Sequence, residues 1–315
     1  MQNNRHDASR LFYKYRWYFC CNNLCLLFCK SNFLMKFSRI ILFIFFLQIP
    51  EIYPDEYLDY KSPFHPTISD NGMVVSQNLE SSKIGSQILQ AGGNAVDAAV
   101  AVGFSLATTL PRAGNVGGGG FMLIYIKENQ ELFSIDYRST SSLNSNLKDL
   151  FGSKSPAQIR EDDYDLTKYS YSASTVPGTV YGLLEAHEKF GELSLKEVLE
   201  PVISQAKNGI IVTYDLHNAI GSSKQLKKDP ESKRIYFKNN KPLPIGSLMK
   251  RPDLPKTFEA ILENGKKGFY DGWVAEKIHS SMQNNEGFID KNDLKQYTSK
   301  FRDPIGINYR GYSVY

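Results

Sequence analysis

Three groups of residues in this 315-residue chain have the types and spacing that chemistry needs. Gly117–Gly120 is a run of four glycines, which allows positive φ and a close approach to a ligand or to another stretch of backbone. Arg138 directly follows the alternating run Leu132–Tyr137. Strand ends position site residues, and a guanidinium can grip a carboxylate through two parallel hydrogen bonds. Thr175-Val176-Pro177-Gly178-Thr179 puts a Pro-Gly turn before a helical pattern, with Thr179 placed to cap it. Each group also has a plainer reading. The glycines can serve a tight strand entry beneath a packed helix. Arg138 can pair with Asp136 or another acid, and the Pro-Gly turn needs no chemistry at all.

Other chemistries find less support. The glycine run has no Gly-Lys-Ser/Thr after it and leads into a strand, so it fits neither a phosphate cradle nor a dinucleotide fingerprint. His6, His65, His187, His217 and His279 are scattered singly, without an HExxH, and no GxSxG elbow occurs. Cys20, Cys21, Cys25 and Cys29 all precede residue 30 and have no zinc-site spacing, so no metal site is expected. The rest of the chain offers no thiol nucleophile and no disulfide.

Around these residues the elements read as follows. Gly72–Gln77 (GMVVSQ) has the look of a short strand, and Ser81–Ala91 of a helix ended by Gly92-Gly93. Asn94–Thr109 is apolar nearly all round and rich in alanine, which predicts a buried helix with close neighbours. Phe121–Ile126 and Leu132–Tyr137 form a hairpin around Lys127–Glu131. Further helices are predicted at Gly178–Phe190, Ser194–Asn208, Pro255–Asn264, Gly272–Gln283 and Asp290–Tyr297, with a charged, solvated excursion over Lys224–Lys241. Tyr309–Tyr315 (YRGYSVY) alternates like a strand.

Composition is that of a globular protein: 42% hydrophobic, 22% charged, net charge +4. The basic residues are interspersed with acids, so nucleic acid is not an expected partner. The first 67 residues stand apart. Residues 1–34 show no period and read as a mis-extended N-terminus. Residues 35–50 open with Met35, Lys36 and Arg39 and carry the apolar run Ile40–Leu47, the shape of a secretory signal or, uncleaved, a membrane anchor. Residues 51–67, with Pro54, Pro63 and Pro66, read as an irregular tether.

Taken together, the segments of residues 68–315 resemble the γ-glutamyltransferase (γ-glutamyltranspeptidase, glutathione hydrolase) family. The resemblance is carried by GGNAVDAAVAVG (Gly92–Gly103), AGNVGGGGFM (Ala113–Met122), IDYR (Ile135–Arg138), VPGTVYGL (Val176–Leu183), KNG (Lys207–Gly209), GFYDGWVAEKI (Gly268–Ile278) and YRGYSVY, in family order. It implies an α+β fold, the αββα sandwich of the N-terminal-nucleophile hydrolases, of which this helix-rich chain is an incomplete half corresponding to the large subunit. It implies a precursor that cleaves itself into a heterodimer, frees a threonine nucleophile at the start of the small subunit, and transfers the γ-glutamyl group of glutathione to water or an amino acid without a cofactor. Arg138 matches the family arginine that binds the α-carboxylate of the γ-glutamyl group. Ser139 stands where the family usually has glutamate. None of this chain's own threonines matches the nucleophile, so the resemblance implies a site completed by residues beyond Tyr315, no catalytic residue within the chain, and no activity for it alone. Two alternatives accompany this reading: an amide-cleaving relative such as a cephalosporin acylase, and a non-catalytic exported relative.

Overall fold

Two asparagines start the helices on which the domain is built. The structure, a computed structural model, describes residues 68–315; the readings made for residues 1–34, 35–50 and 51–67 lie outside the described residues. Asn78 accepts from the N–H groups of Glu80 and Ser81 and opens α1 (Leu79–Gln90). Asn94 does the same for Val96 and Asp97, and Asp97 returns a bond to the Asn94 N–H, a capping box that opens α2 (Ala95–Thr109). As its composition predicts, α2 is buried on nearly every face. Its small residues admit close neighbours: a Cβ on Gly103 would come within 2.9 Å of Leu183, and one on Gly85 of α1 within 2.7 Å of Val102.

The predicted hairpin follows, β1 (Phe121–Ile126) and β2 (Glu131–Asp136), antiparallel with Phe121 opposite Asp136. Three short helices with no buried residue on the second and third come next: α3 (Leu147–Phe151), α4 (Pro156–Asp162) and α5 (Tyr164–Tyr169). Then α6 (Thr179–Phe190) and α7 (Leu195–Asn208) lay Val180, Leu183, Leu184, Val198, Leu199 and Val202 into the core around α2. A satellite core of Val212, Leu216, Ile220 and Met249 gathers the small elements β3 (Ile210–Ile211), α8 (Tyr214–Ser222), α9 (Lys224–Lys228), α10 (Pro230–Tyr236), β4 (Phe237–Lys238), β5 (Lys241–Pro242) and β6 (Leu248–Met249). The charged excursion Lys224–Lys241 is therefore exposed but folded, as two short helices running into a tight hairpin.

The chain returns to the main core through α11 (Asp253–Asn264), α12 (Lys267–Tyr270), α13 (Trp273–Asn284) and α14 (Lys291–Gln296). β7 (Lys300–Arg302) then pairs antiparallel with β2, so the sheet order is β1-β2-β7. Last come β8 (Ile307–Tyr309) and β9 (Tyr312–Val314), an exposed hairpin. Helices packed around one small antiparallel sheet make the fold α+β. Among the described residues no helix is long and apolar enough to cross a membrane.

Three expectations are corrected. Gly72–Gln77 joins no sheet; Val74 instead packs its side chain on the core and against Gly85, so the apolar pattern there serves packing. Thr179 is the first helical residue of α6 rather than its cap: Gly178 occupies the N-cap and makes no side-chain bond. Tyr309–Tyr315 is two strands rather than one, broken where Arg310 (φ 51°) and Gly311 (φ 86°) take the left-handed conformation of a tight turn.

Candidate functional site

Arg138 emerges where β2 ends, and three packed segments hold its backbone. The first is the glycine run. None of the four glycines has positive φ, so freedom of φ is not what they supply. Gly119 lies so close to the segment 137–139 that a Cβ would stand 2.3 Å from Ser139 N and 2.7 Å from Tyr137 O, and one on Gly120 would meet the Tyr137 ring at 2.8 Å. Gly120 and Tyr137 exchange backbone hydrogen bonds of 3.3 and 3.0 Å, which extends the hairpin ladder by one pair. The Gly118 carbonyl accepts from Gly178 N (2.7 Å) and Thr179 N (3.0 Å), closing the start of α6 that no side chain caps. The plainer reading of the run, a tight strand entry beneath a packed helix, is the one the structure displays.

The second segment is the Val-Pro-Gly turn. Thr140 and Val176 exchange backbone hydrogen bonds of 3.3 and 2.7 Å. Gly178 and Gly182 leave room for Tyr137: a Cβ on either would lie 2.0–2.1 Å from its carbonyl oxygen or its ring. The third is a tyrosine cluster. Tyr297 donates its hydroxyl to the Arg138 carbonyl at 3.0 Å. Its ring stacks on Tyr270 at 5.8 Å and 5°, and Tyr181 meets both edge-on. Tyr270 donates to Pro177 O (2.8 Å) and accepts from Tyr181 N (3.2 Å). Burial pushes the hydroxyls of Tyr137 and Tyr270 up, and burial together with the nearby Asp136 charge pushes Tyr297 up to about 12. All stay neutral donors at ordinary pH. Beyond Arg138 the chain is tied down again, Ser142 Oγ to Asp293 Oδ2 at 2.6 Å and Leu143 N to Asp293 Oδ1 at 2.7 Å.

The Arg138 side chain itself is exposed and, among the described residues, has no ion-pair or hydrogen-bond partner. The acid nearest in sequence is engaged elsewhere. Asp136 Oδ1 accepts the backbone N–H of Arg138 at 3.0 Å, and Asp136 Oδ2 accepts Nε of Arg302 at 2.7 Å. Those two contacts, the backbone one first, hold the Asp136 carboxyl below the usual aspartate value. The pairing of Arg138 with Asp136 that its plainer reading supposes is therefore not made. Sequence reasoning missed Tyr297 and Arg302, which carry no motif of their own; Tyr181 and Tyr270 fall inside two of the motifs quoted above. Among the described residues no group of His, Cys, Asp and Glu could hold a metal ion.

The helix-rich α+β fold is shared with solved N-terminal-nucleophile hydrolases. The crystal structure of Helicobacter pylori gamma-glutamyltranspeptidase matches with a TM-score of 0.73 at 35% identity, over 79% of this chain and 70% of that one. Within that class the chain belongs to the gamma-glutamyltranspeptidase family, whose model matches residues 81–315. The chain is 40% identical over 268 residues to the glutathione hydrolase proenzyme of Escherichia coli (strain K12), 84% of this chain and 45% of that protein. It is 32% identical over 262 residues to the acylase ACY 1 proenzyme of Pseudomonas sp. (strain V22), 81% of this chain and 46% of that protein. It thus spans about half the length of these two proenzymes.

Proposed function

We propose that this chain carries the carboxylate-reading part of a γ-glutamyltransferase or glutathione hydrolase, with Arg138 as the group that binds the α-carboxylate of the γ-glutamyl donor. The observation that carries this is the unpaired guanidinium of Arg138 on a backbone fixed by Gly119, Val176, Gly178 and Tyr297. A guanidinium fork on a fixed mount matches a carboxylate in two parallel contacts and loses little freedom on binding. The donor is glutathione or a related γ-glutamyl compound, and the acceptor is water or an amino acid. The nucleophile is supplied by a small subunit derived from the same precursor, with this chain as part of the large subunit of the heterodimer. We place the mature protein outside the cytoplasm, directed there by residues 35–50. A reporter fused after a leader beginning at Met35 should be exported, and cytoplasmic retention of the fusion would overturn that placement.

The test uses the complete gene product and release of the chromophore from a γ-glutamyl anilide. Removing a charged hydrogen-bonded contact costs about 2–3 kcal/mol, so Arg138→Ala should lower kcat/KM about 30- to 150-fold. Arg138→Lys should recover part of this, since lysine makes a point contact rather than a paired one. An unchanged kcat/KM in Arg138→Ala would remove Arg138 from the donor site. A second reading, an acylase, rests on the 32% identity to the acylase proenzyme. It predicts that an acyl anilide without the α-carboxylate is cleaved as fast as the γ-glutamyl one, and that Arg138→Ala leaves its cleavage unchanged.

A further inference from the structure

We propose that Arg302 is a positioning residue for Arg138: by claiming the Asp136 carboxylate, it leaves the Arg138 guanidinium free for a carboxylate ligand. The inference deepens the reading above and rests on it. Asp136 is the last residue of β2 and Arg138 lies two residues beyond it, where the Asp136 side chain turns to the Arg138 backbone N–H. The Asp136 carboxylate already sits at the Arg138 backbone, 3.0 Å from its N–H. Left to itself, it is an anion within reach of the guanidinium, and the two would form an internal salt. A ligand carboxylate would then have to displace an intramolecular partner.

β7 prevents this. In the β2–β7 register Lys300 stands opposite Asp136 and Arg302 opposite Ser134. Arg302 therefore reaches Asp136 along the diagonal of the ladder, a distance that a long side chain spans. Its Nε takes Oδ2 at 2.7 Å while Oδ1 stays on the Arg138 backbone N–H. Both oxygens of Asp136 are then engaged. The charges of Asp136, Arg138 and Arg302 sum to +1. Asp136 and Arg302 cancel each other, Lys300 opposite Asp136 adds a further positive charge, and the charge of Arg138 is left uncompensated. Tyr297 holds the Arg138 backbone through its carbonyl.

The state of the guanidinium can be read without any substrate. Arg138 should react readily with phenylglyoxal, followed by peptide mass spectrometry on the 315-residue chain, because an unpaired guanidinium is open to the reagent. Arg302→Ala should slow this reaction about two- to fivefold, the range that a new exposed ion pair spans. Arg302→Ala with Asp136→Asn should restore the rate, because asparagine still accepts the Arg138 N–H through its amide oxygen but carries no charge. Arg302→Lys should behave like the parent. Should the alanine variant not fold by circular dichroism, Arg302→Met keeps the length of the stem without the donor, and the same rates are read. In the complete gene product Arg302→Ala should raise KM for the γ-glutamyl anilide with kcat kept, and Asp136→Asn should reverse it. If Arg302 is only a strut between strands, the Arg138 rate will stay put in Arg302→Ala and Asp136→Asn will rescue nothing; either result overturns the proposal. The labelling result is independent of Arg138→Ala kinetics, so failure of this inference and failure of the donor-site reading can be told apart.

Discussion

An alanine series through Gly117–Gly120 separates the two reasons a chain uses glycine. Because none of the four has positive φ, the cost at each position is set by what the new Cβ meets. At Gly117 the nearest atom is Asn115 Oδ1 at 3.4 Å, an ordinary contact, and at Gly118 the same side-chain atom lies at 3.1 Å and can move aside. At Gly119 the Cβ would lie 2.3 Å from Ser139 N, 2.7 Å from Tyr137 O and 2.9 Å from Arg138 C, all of them backbone. An ordinary contact is at least about 1 Å longer, so the two segments must separate and strain the Gly120–Tyr137 pair. Overpacking of this kind costs about 1–3 kcal/mol, and a weakened backbone bond adds about 1, for roughly 2–4 kcal/mol in Gly119→Ala. For a domain of this size that lowers Tm by about 5–15 °C. Gly117→Ala should stay within about 0.5 kcal/mol of the parent or gain slightly through the unfolded chain. The assay is thermal and urea unfolding followed by far-UV circular dichroism. A flat series, or Gly117→Ala as damaging as Gly119→Ala, would refute the close-approach account and return the run to a need for backbone freedom.

Two further outcomes follow from buried groups. The neutral form of Tyr297 is favoured by folding, its value moving from 10.0 to about 12, and Tyr270 and Tyr137 move the same way. A raised folded value means the contribution is complete below pH 10 and is lost as pH climbs through about 12, so the urea midpoint should fall steeply across that window. Tyr297→Phe should flatten the fall and, at neutral pH, cost about 1 kcal/mol for the lost bond to Arg138 O. Asp97, fully buried, accepts from the N–H groups of Asn94 (3.0 Å), Glu192 (3.1 Å) and Leu193 (3.3 Å). Asp97→Ala strands those donors and should cost about 2–4 kcal/mol, read as a lower urea midpoint with an unchanged slope.

What could be read from residue order was local. The alanines and apolar residues of Asn94–Thr109 announce burial on nearly every side, because that signal is complete within a few turns. The β1–β2 hairpin shows through its period of two. The purpose of the glycine run did not show, since its partner is the backbone at 137–139 and only folding brings the two together. Gly72–Gln77 misled because packing and strand pairing both favour apolar residues, and only the partner tells them apart. Tyr309–Tyr315 misled because Arg310, a non-glycine residue, takes positive φ at the turn. Arg138 could be singled out by its place after a strand and by family resemblance. Arg302 could not, since its meaning depends on a carboxylate 166 residues earlier.

That same separation sets a clock during synthesis. The hairpin of β1 and β2 can form as soon as Asp136 has been made, yet the strand that covers the other side of β2 is not translated until 166 residues later. At 5–20 residues per second the ribosome takes roughly 10–30 s to deliver it. Hairpins close in microseconds, so for nearly the whole of that interval the nascent chain presents Ser134–Asp136 as an open ladder, flanked by Phe121, Leu123 and Tyr125 on the exposed side of its neighbour. Such an edge invites pairing with other chains. Glu131 and Asp136, at its two ends, are the charges that β2 itself sets against such pairing. Crowded translation should therefore lose more of this protein to aggregation than refolding of the finished chain at the same concentration, where β7 competes for the edge from the first moment.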